Sequence, residues 1–347
     1  MCADHPAFGY VDHRPLSVWI LAVWKRLLGE ALVAIRLLPA LVGAACVVLG
    51  GEFARALDGG RWAQRLTALA MVAAPVYLGT HHVFSMNSFA ALLWLLAMRA
   101  VIAALDAPRR WPLAVAWLVV AAILLLGGRS RGNYLVPAYP PLLAAGAVAL
   151  ERFAGRRGRM VRALPFAVLV LGSAPLVPLA IPILPVERYI PYAKALGQEP
   201  STDERKEVGP LSQHYADMHG WQELTDLVVR AWETLTPEER ARAAIFGQNY
   251  GEAGAVTVLG RRRGLPEAIS GHNNFWHWGP PKRGDGSIVV IIGGDEADHM
   301  ESFASVTAVD TLHAPLAMPY ERGLTVFIGR GLRRPLAEAW GRVRHYD

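Results

Sequence analysis

The sequence predicts an α-helical integral membrane bundle of about six transmembrane helices plus an interfacial helix, followed by a small α/β soluble domain. Six long apolar stretches fall between residues 31 and 184, and short strands alternate with helical patterns after residue 185. Hydrophobic residues make up 53% of the 347 positions, which suits a chain that lies partly in a bilayer. We therefore expect an outer-face segment with the interfacial helix at 1–30, a transmembrane bundle at 31–185 and an extracytoplasmic α/β domain at 186–347.

The apolar stretches are each close to the roughly 20 residues that a helix needs to cross a bilayer. They cover residues 31–51, 63–80, 87–105, 111–128, 134–150 and 161–184. Before them, residues 15–28 form an apolar stretch that is too short to span. Its tryptophans and basic residues suit the headgroup layer, so we expect a helix on the outer surface, or alternatively a helix packed on the bundle.

Arginines mark alternate loops of this bundle. They cluster in the first, third and fifth gaps, whereas the second gap has neither Lys nor Arg and the fourth has only Arg129 and Arg131. Because cytoplasmic loops carry an excess of Lys and Arg, the arginine-rich loops are predicted to face the cytoplasm. An even number of crossings then places both chain ends on the outer face.

The net charge of +6 does not indicate a nucleic-acid partner, because membrane topology already explains many of the arginines. The two cysteines are Cys2 and Cys46. One lies near the start of the sequence and the other inside a predicted membrane helix, so a disulfide framework is not expected.

The fourth gap, residues 127–141, combines glycines with two arginines and two tyrosines at membrane depth. Such donors suit a phosphate held at the bilayer surface, which makes Arg129, Arg131, Tyr134 and Tyr139 candidate donor-phosphate residues. An ordinary loop whose prolines start a helix is the alternative. Arg36, near the outer end of the first span, is a further candidate for an anionic lipid headgroup.

After residue 185, short strands are predicted at 244–247, 287–292, 306–309 and 324–328. Helical patterns lie around them, at 221–234, from Thr236, and at 252–262, 296–304 and 335–343. Strands that alternate with helices predict a small α/β domain.

Two stretches of this domain are candidate acceptor-binding sites. The first, residues 247–254, follows a strand and opens a helix, where backbone amides could hold an anion; it lacks the glycine spacing of a dinucleotide site. The second, residues 270–281, concentrates aromatic and amide side chains, as a sugar-stacking surface, a membrane-docked loop or a loop packed on the bundle would. The candidate residues are Asn249, Tyr250, Glu252, His272, Asn273, Trp276 and Trp278.

Together with these stretches, four short motifs carry a resemblance to a known family: GYVDHRPL at 9–16, AIRLLPA at 34–40, FSMN at 84–87 and YLVPAYP at 134–140. They resemble the bacterial branch of the dolichyl-phosphate-mannose protein mannosyltransferases, glycosyltransferase family 39 with the GT-C fold, akin to the aminoarabinose transferases. The resemblance implies transfer of a sugar from a polyprenyl-phosphate donor to a lipid, glycan or protein acceptor at the outer face of the bacterial inner membrane.

The chemistry of such a transfer selects candidate carboxylates, and the resemblance ranks them. Transfer needs a carboxylate that takes the acceptor proton, and the outer segments before residue 185 offer Asp4 and Asp12. Asp12 is the better candidate because it lies in a family-like motif where a related acidic position takes part in metal or phosphate binding. His13 stands where relatives carry a basic residue, which makes it a donor-phosphate candidate.

In the family, an acidic pair after the first membrane helix supplies the general base, and members have more membrane helices. Against that pattern this sequence is expected to lack the first helix with its acidic pair, and a middle block near residues 105–111. We therefore expect either an active glycosyltransferase or a shortened, inactive relative.

Histidines allow a metal alternative. Asp12 with two of His13, His81 and His82 could bind a divalent cation. The alternative is that His5, His13, His81 and His82 are four unconnected surface histidines.

The competing function is a non-catalytic membrane-anchored protein that binds a glycan or partner. A transporter ranks third, since the spans hold no buried acidic residue of a coupled ion pathway.

Overall fold

A computed structural model describes residues 1–105, 115, 119, 122, 136–155, 157–202, 207–281 and 284–346. The chain divides into two compact units. The membrane unit is Leu16–Ala193, and the sheet unit joins Met1–Pro15 to Lys194–Asp347. The first fifteen residues thus cluster with the C-terminal part of the chain, whereas the sequence pattern had grouped them with the interfacial helix.

Helices make up the membrane unit, and three of those described are long and apolar enough to cross a membrane: Leu32–Ala56, Met86–Ala104 and Arg159–Ala180. This is fewer than the six predicted. The helices are Pro15–Leu28, Leu32–Ala56, Arg61–Ala73, Pro75–His82, Met86–Ala104, Tyr139–Ala154, Arg159–Ser173 and Val177–Ala180, and Val186–Ala195 leads into the sheet unit. A 3₁₀ turn at Ala174–Leu176 joins Arg159–Ser173 to Val177–Ala180, so that these segments together form the third span.

The shortfall has a visible cause in the second predicted span, 63–80. Pro75 occupies the first position of a new helix, and Ala74 before it is extended at φ −76° and ψ 119°. Proline has no N–H to continue a helix and disfavours helical backbone in the residue before it. The fifth span begins only at Tyr139 and has 16 residues, and most of the fourth, 111–128, lies outside the described residues.

The Leu32–Ala56 helix shows how the membrane unit packs. Its buried residues recur every three or four positions on one face, and they include Leu38, Val42, Cys46, Gly50 and Phe53. Apolar side chains on the other faces are exposed, as expected where lipid replaces water.

The sheet unit contains a five-stranded mixed sheet in the order β2-β1-β3-β5-β4. Its strands are β1 (Ala243–Gly247), β2 (Ile269–Ser270), β3 (Ile288–Ile292), β4 (Phe303–Thr311) and β5 (Thr325–Leu332). β1 is parallel to β2 and β3, whereas β5 is antiparallel to β3 and β4. The helices are Gln213–Ala216, Trp221–Glu233, Pro237–Arg242, Tyr250–Gly260, Asn273–Trp278, Glu296–Ser302 and Leu336–Ala339.

The sheet follows from its apolar runs. All five residues of β3 are buried, as in a central strand that is covered on both faces. Val228 and Val256, from two flanking helices, share a hydrophobic core with Val290 of β3. The predicted mixed α/β character of this part of the chain is confirmed, and the two-residue β2 is an addition to it.

Candidate functional site

The N-terminal segment of the sheet unit, Met1–Pro15, lies against the Asn273–Trp278 helix. The Asn273 Nδ2 donates to the Asp12 Oδ2 at 2.8 Å, and the Val11 N–H donates to the Asn274 Oδ1 at 3.1 Å. The His5 ring stacks on Trp278 with centroids 4.4 Å apart. The structure therefore brings together Asp12 and the 270–281 stretch, which the sequence had selected separately.

The backbone before this helix is fixed by a close approach to the C-terminal segment. A Cβ on Gly271 would lie 1.8 Å from the Val343 carbonyl oxygen, so only glycine fits there. His272 and His345 form a parallel bridge, and the Asn273 N–H donates to the His345 carbonyl at 3.1 Å. Asn273 has φ +50°, a left-handed conformation that asparagine tolerates better than most residues.

Two cavities meet at the His5 and Trp278 side chains. One, of about 650 Å³, is lined by His5, Tyr10, Val11, Asn274, His277 and Trp278 among others. The other, of about 600 Å³, is lined by His5, Trp232, Arg240, Glu267, Phe275 and Trp278 among others. Both have the size and the mixture of aromatic and hydrogen-bonding side chains that are typical of small-molecule sites.

In the first candidate stretch, residues 247–254, the backbone amides that could bind an external anion are occupied by the Glu252 carboxylate. Glu252 Oε2 accepts from the Gln248 N–H at 2.7 Å and the Asn249 N–H at 3.3 Å. Its Oε1 accepts from the Asn249 Nδ2 at 2.9 Å. Glu252 is 3% exposed, and this burial raises its pKa to about 7. The amides at this helix start thus bind an internal carboxylate.

Tyr250 and His272 connect the two candidate stretches. The Tyr250 N–H donates to the His272 Nδ1 at 3.4 Å, and their ring centroids are 4.8 Å apart. Trp276 turns to the C-terminal segment, where Arg344 lies over its ring at 4.8 Å. Of the predicted acceptor residues, Trp278 lines both cavities.

The two candidate histidines of the membrane unit have local partners. His81 is buried, with Nδ1 3.0 Å from the Tyr77 carbonyl and Nε2 3.9 Å from Cys46 Sγ. His82 Nδ1 is 2.9 Å from the Gly79 carbonyl. Arg36 is half-buried in the Leu32–Ala56 helix, and Tyr139 is the first residue of its own helix. The other donor-phosphate candidates, Arg129, Arg131 and Tyr134, lie outside the described residues.

The metal candidates are divided between the two units. Asp12 and His13 belong to the sheet unit, and His81 and His82 to the membrane unit. Within the described part of the chain, no group of three or more His, Cys, Asp or Glu residues is placed to hold a metal ion. The second candidate carboxylate, Asp4, has its Oδ2 3.4 Å from the nitrogen of Met1. A divalent metal stays a prediction.

Several site residues were not predicted from the sequence. The Tyr10 hydroxyl donates to the His5 carbonyl at 2.9 Å and accepts from the Ala7 N–H at 2.7 Å, which folds the N-terminal segment on itself. Asn274 and His277 line a cavity beside it. A signal was available, since all of these lie in or next to stretches already selected, but their contacts depend on the tertiary fold.

A comparison with protein families matches the N-terminal part of the chain. The family model described as dolichyl-phosphate-mannose-protein mannosyltransferase matches residues 4–181. The match is a little more than half of the chain, and it includes Asp12. No curated protein and no solved structure matches the chain significantly.

Proposed function

Because this chain belongs to the dolichyl-phosphate-mannose-protein mannosyltransferase family, we propose that it is a membrane glycosyltransferase that moves a sugar from a polyprenyl-phosphate donor to an acceptor. One observation carries the proposal: Asp12, which lies inside the family match, contacts Asn273 of the stretch predicted to bind the acceptor. Asp12, from the part of the chain that the family model matches, and the proposed acceptor-binding stretch 270–281 are thus in contact within one compact unit.

The proposed chemistry assigns each group a task. The acceptor oxygen or nitrogen forms a bond to the anomeric carbon of the donor sugar. The bond from that carbon to the phosphate oxygen breaks, and its electron pair leaves with the phosphate. The acceptor proton passes to the Asp12 carboxylate, which is exposed and within reach of solvent. His13, next to Asp12 in the sequence, is proposed to bind the phosphate, and the donor-phosphate roles of Arg36, Arg129, Arg131, Tyr134 and Tyr139 stay predictions.

The acceptor is proposed to lie along the N-terminal segment, in the cavity that Trp278 and Asn274 line. Aromatic rings and amides suit the apolar faces and hydroxyls of a sugar. The arginine pattern supports an orientation in which the sheet unit lies on the outer face, and the family resemblance supports the bacterial inner membrane. A reporter that is active only outside the cytoplasm is expected to be active when fused after Asp347. An inactive reporter there, with an active one fused near Arg157, would contradict this orientation.

Transfer by the purified full-length protein tests the proposal. Polyprenyl-phosphate mannose and other polyprenyl-phosphate sugars serve as donors, and a lipid extract, oligosaccharides and a serine-containing peptide serve as acceptors. Asp12→Asn should lower turnover by roughly 10²–10⁴, the usual worth of a general base. Asp298→Asn, on an exposed helix of the sheet unit, is the control and should match the wild type.

Two results would count against this assignment. Equal turnover in the wild type and Asp12→Asn would remove Asp12 from the chemistry. Binding of oligosaccharides without turnover of any donor would favour the membrane-anchored glycan-binding protein instead.

A further inference from the structure

We infer that Asn273 is a positioning residue that holds the Asp12 carboxylate in place for the acceptor, an inference that rests on the proposed transfer reaction. Asn273 is 4% exposed, whereas Asp12 lies on the surface above it. The Nδ2 of this buried amide donates to Asp12 Oδ2 at 2.8 Å. A hydrogen bond to one carboxylate oxygen restrains the group and leaves the other oxygen, Oδ1, available to the acceptor.

Asn273 can act in this way because its own position is fixed. Its backbone N–H donates to the His345 carbonyl, and the neighbouring Gly271 packs directly on Val343. Its backbone is left-handed, with φ +50°, a conformation that asparagine tolerates better than most residues. The C-terminal segment thus fixes Asn273, and Asn273 fixes Asp12.

The other end of the amide points to the same role. Asn273 Oδ1 is buried and has no hydrogen-bond partner among the described residues. A buried acceptor without a partner costs stability and calls for an explanation other than packing. The N-cap of the helix is His272, so Asn273 does not occupy the capping position. The hydrogen bond that its side chain donates goes to Asp12.

The adjacent Asn274 does a different job. Its Oδ1 accepts from the Val11 backbone N–H at 3.1 Å, so it anchors the N-terminal segment without touching the carboxylate. Two neighbouring amides on one helix thus separate anchoring from positioning. This makes Asn274→Ala a matched control for changes at Asn273.

The first readout is chemical and does not depend on activity. Asp12 is labelled in the full-length protein with a water-soluble carbodiimide and an amine, and labelling is measured by mass spectrometry. Asn273→Gly, which keeps the left-handed backbone, should raise the labelling rate of Asp12 several-fold. The labelling rate of Asp4 should not change. Asn274→Ala should raise the labelling rates of Asp4 and Asp12 together, because it loosens the whole N-terminal segment. Unchanged labelling of Asp12 in Asn273→Gly would overturn the inference.

The second readout is transfer. Misplacing a catalytic group by about 1 Å costs on the order of 10²-fold, so Asn273→Gly should lower kcat by roughly 10- to 100-fold with the donor KM unchanged. The midpoint of thermal unfolding of Asn273→Gly, measured beside that of the wild type, separates this loss of kcat from a folding defect. In an Asp12→Asn background, Asn273→Gly should cause no further loss of kcat. The loss of kcat from Asn274→Ala should still multiply with that from Asp12→Asn.

The two failures are distinguishable. If the kcat losses of Asn273→Gly and Asn274→Ala both multiply in full with the loss of Asp12→Asn, Asn273 has only a structural role. A wild-type protein without any turnover would contradict the proposed function, and the labelling experiment would still decide whether Asn273 positions Asp12.

Discussion

Trp276 and Trp340 exchange a pair of hydrogen bonds. The Trp276 indole Nε1 donates to the Trp340 carbonyl at 2.8 Å, and the Trp340 Nε1 donates to the Trp276 carbonyl at 3.0 Å. Each indole thus satisfies a backbone acceptor of the other residue. This exchange joins the helix that carries Asn273 to the C-terminal segment that fixes it.

Replacing Trp340 by Phe should destabilise the sheet unit. Phe keeps most of the apolar ring but removes the N–H, so the Trp276 carbonyl loses the indole donor and keeps the Gly279 N–H, which donates to it at 3.1 Å. The lost hydrogen bond is worth about 0.5–1.5 kcal/mol, which should appear as a lower midpoint of thermal unfolding. The control is Trp94→Phe, at a residue that is 60% exposed in the membrane unit. Equal midpoints for both variants would show that the exchange contributes nothing to stability.

Glu252 predicts a pH dependence of stability. Burial raises its pKa from 4.5 to about 7, so between these values the folded chain holds a proton that the unfolded chain has lost. The stabilising contribution is therefore complete below pH 4.5 and is lost as the pH rises through 7. The rise in pKa corresponds to on the order of 3 kcal/mol.

The unfolding midpoint of the wild type, measured between pH 5 and pH 8, should fall as the pH rises. Glu252→Gln cannot ionise, so its midpoint should change less over this range. Glu267→Gln, at an exposed position, should keep the wild-type slope. A slope in Glu252→Gln equal to that of the wild type would assign the pH dependence to other groups.

The sequence predicted the elements with strong periodicity and missed those that depend on short signals or distant contacts. The 63–80 stretch is apolar enough for one span, yet Pro75 divides it, and this signal was present in the sequence. Only the middle of β4 was predicted, because most of its nine residues are exposed and lack an apolar run. The two residues of β2 are too few for any periodic pattern.

The candidate site shows a different limit. Asp12 and the 270–281 stretch were each selected from local chemistry, but their side chains are 261 positions apart in the sequence. No periodicity or spacing connects such residues, because the contact depends on how the N-terminal segment folds back on the sheet unit. The role of Glu252 could not be predicted for a related reason. The capping-box pattern of Asn249 and Glu252 is visible in the sequence, whereas the burial of Glu252 depends on the fold.

Gly271 and Gly254 should respond to alanine in opposite directions. A Cβ on Gly271 would lie 1.8 Å from the Val343 carbonyl oxygen, whereas a Cβ on Gly254 meets nothing within 4 Å. Gly271→Ala should therefore cost about 1–3 kcal/mol as an overpacking change and expose residues 333–346 to limited proteolysis. Gly254→Ala, inside the Tyr250–Gly260 helix, should stabilise by about 0.5–1 kcal/mol. If Gly271→Ala unfolds at the wild-type midpoint and resists protease equally, the C-terminal segment does not rest against Gly271, and the positioning of Asn273 loses its support.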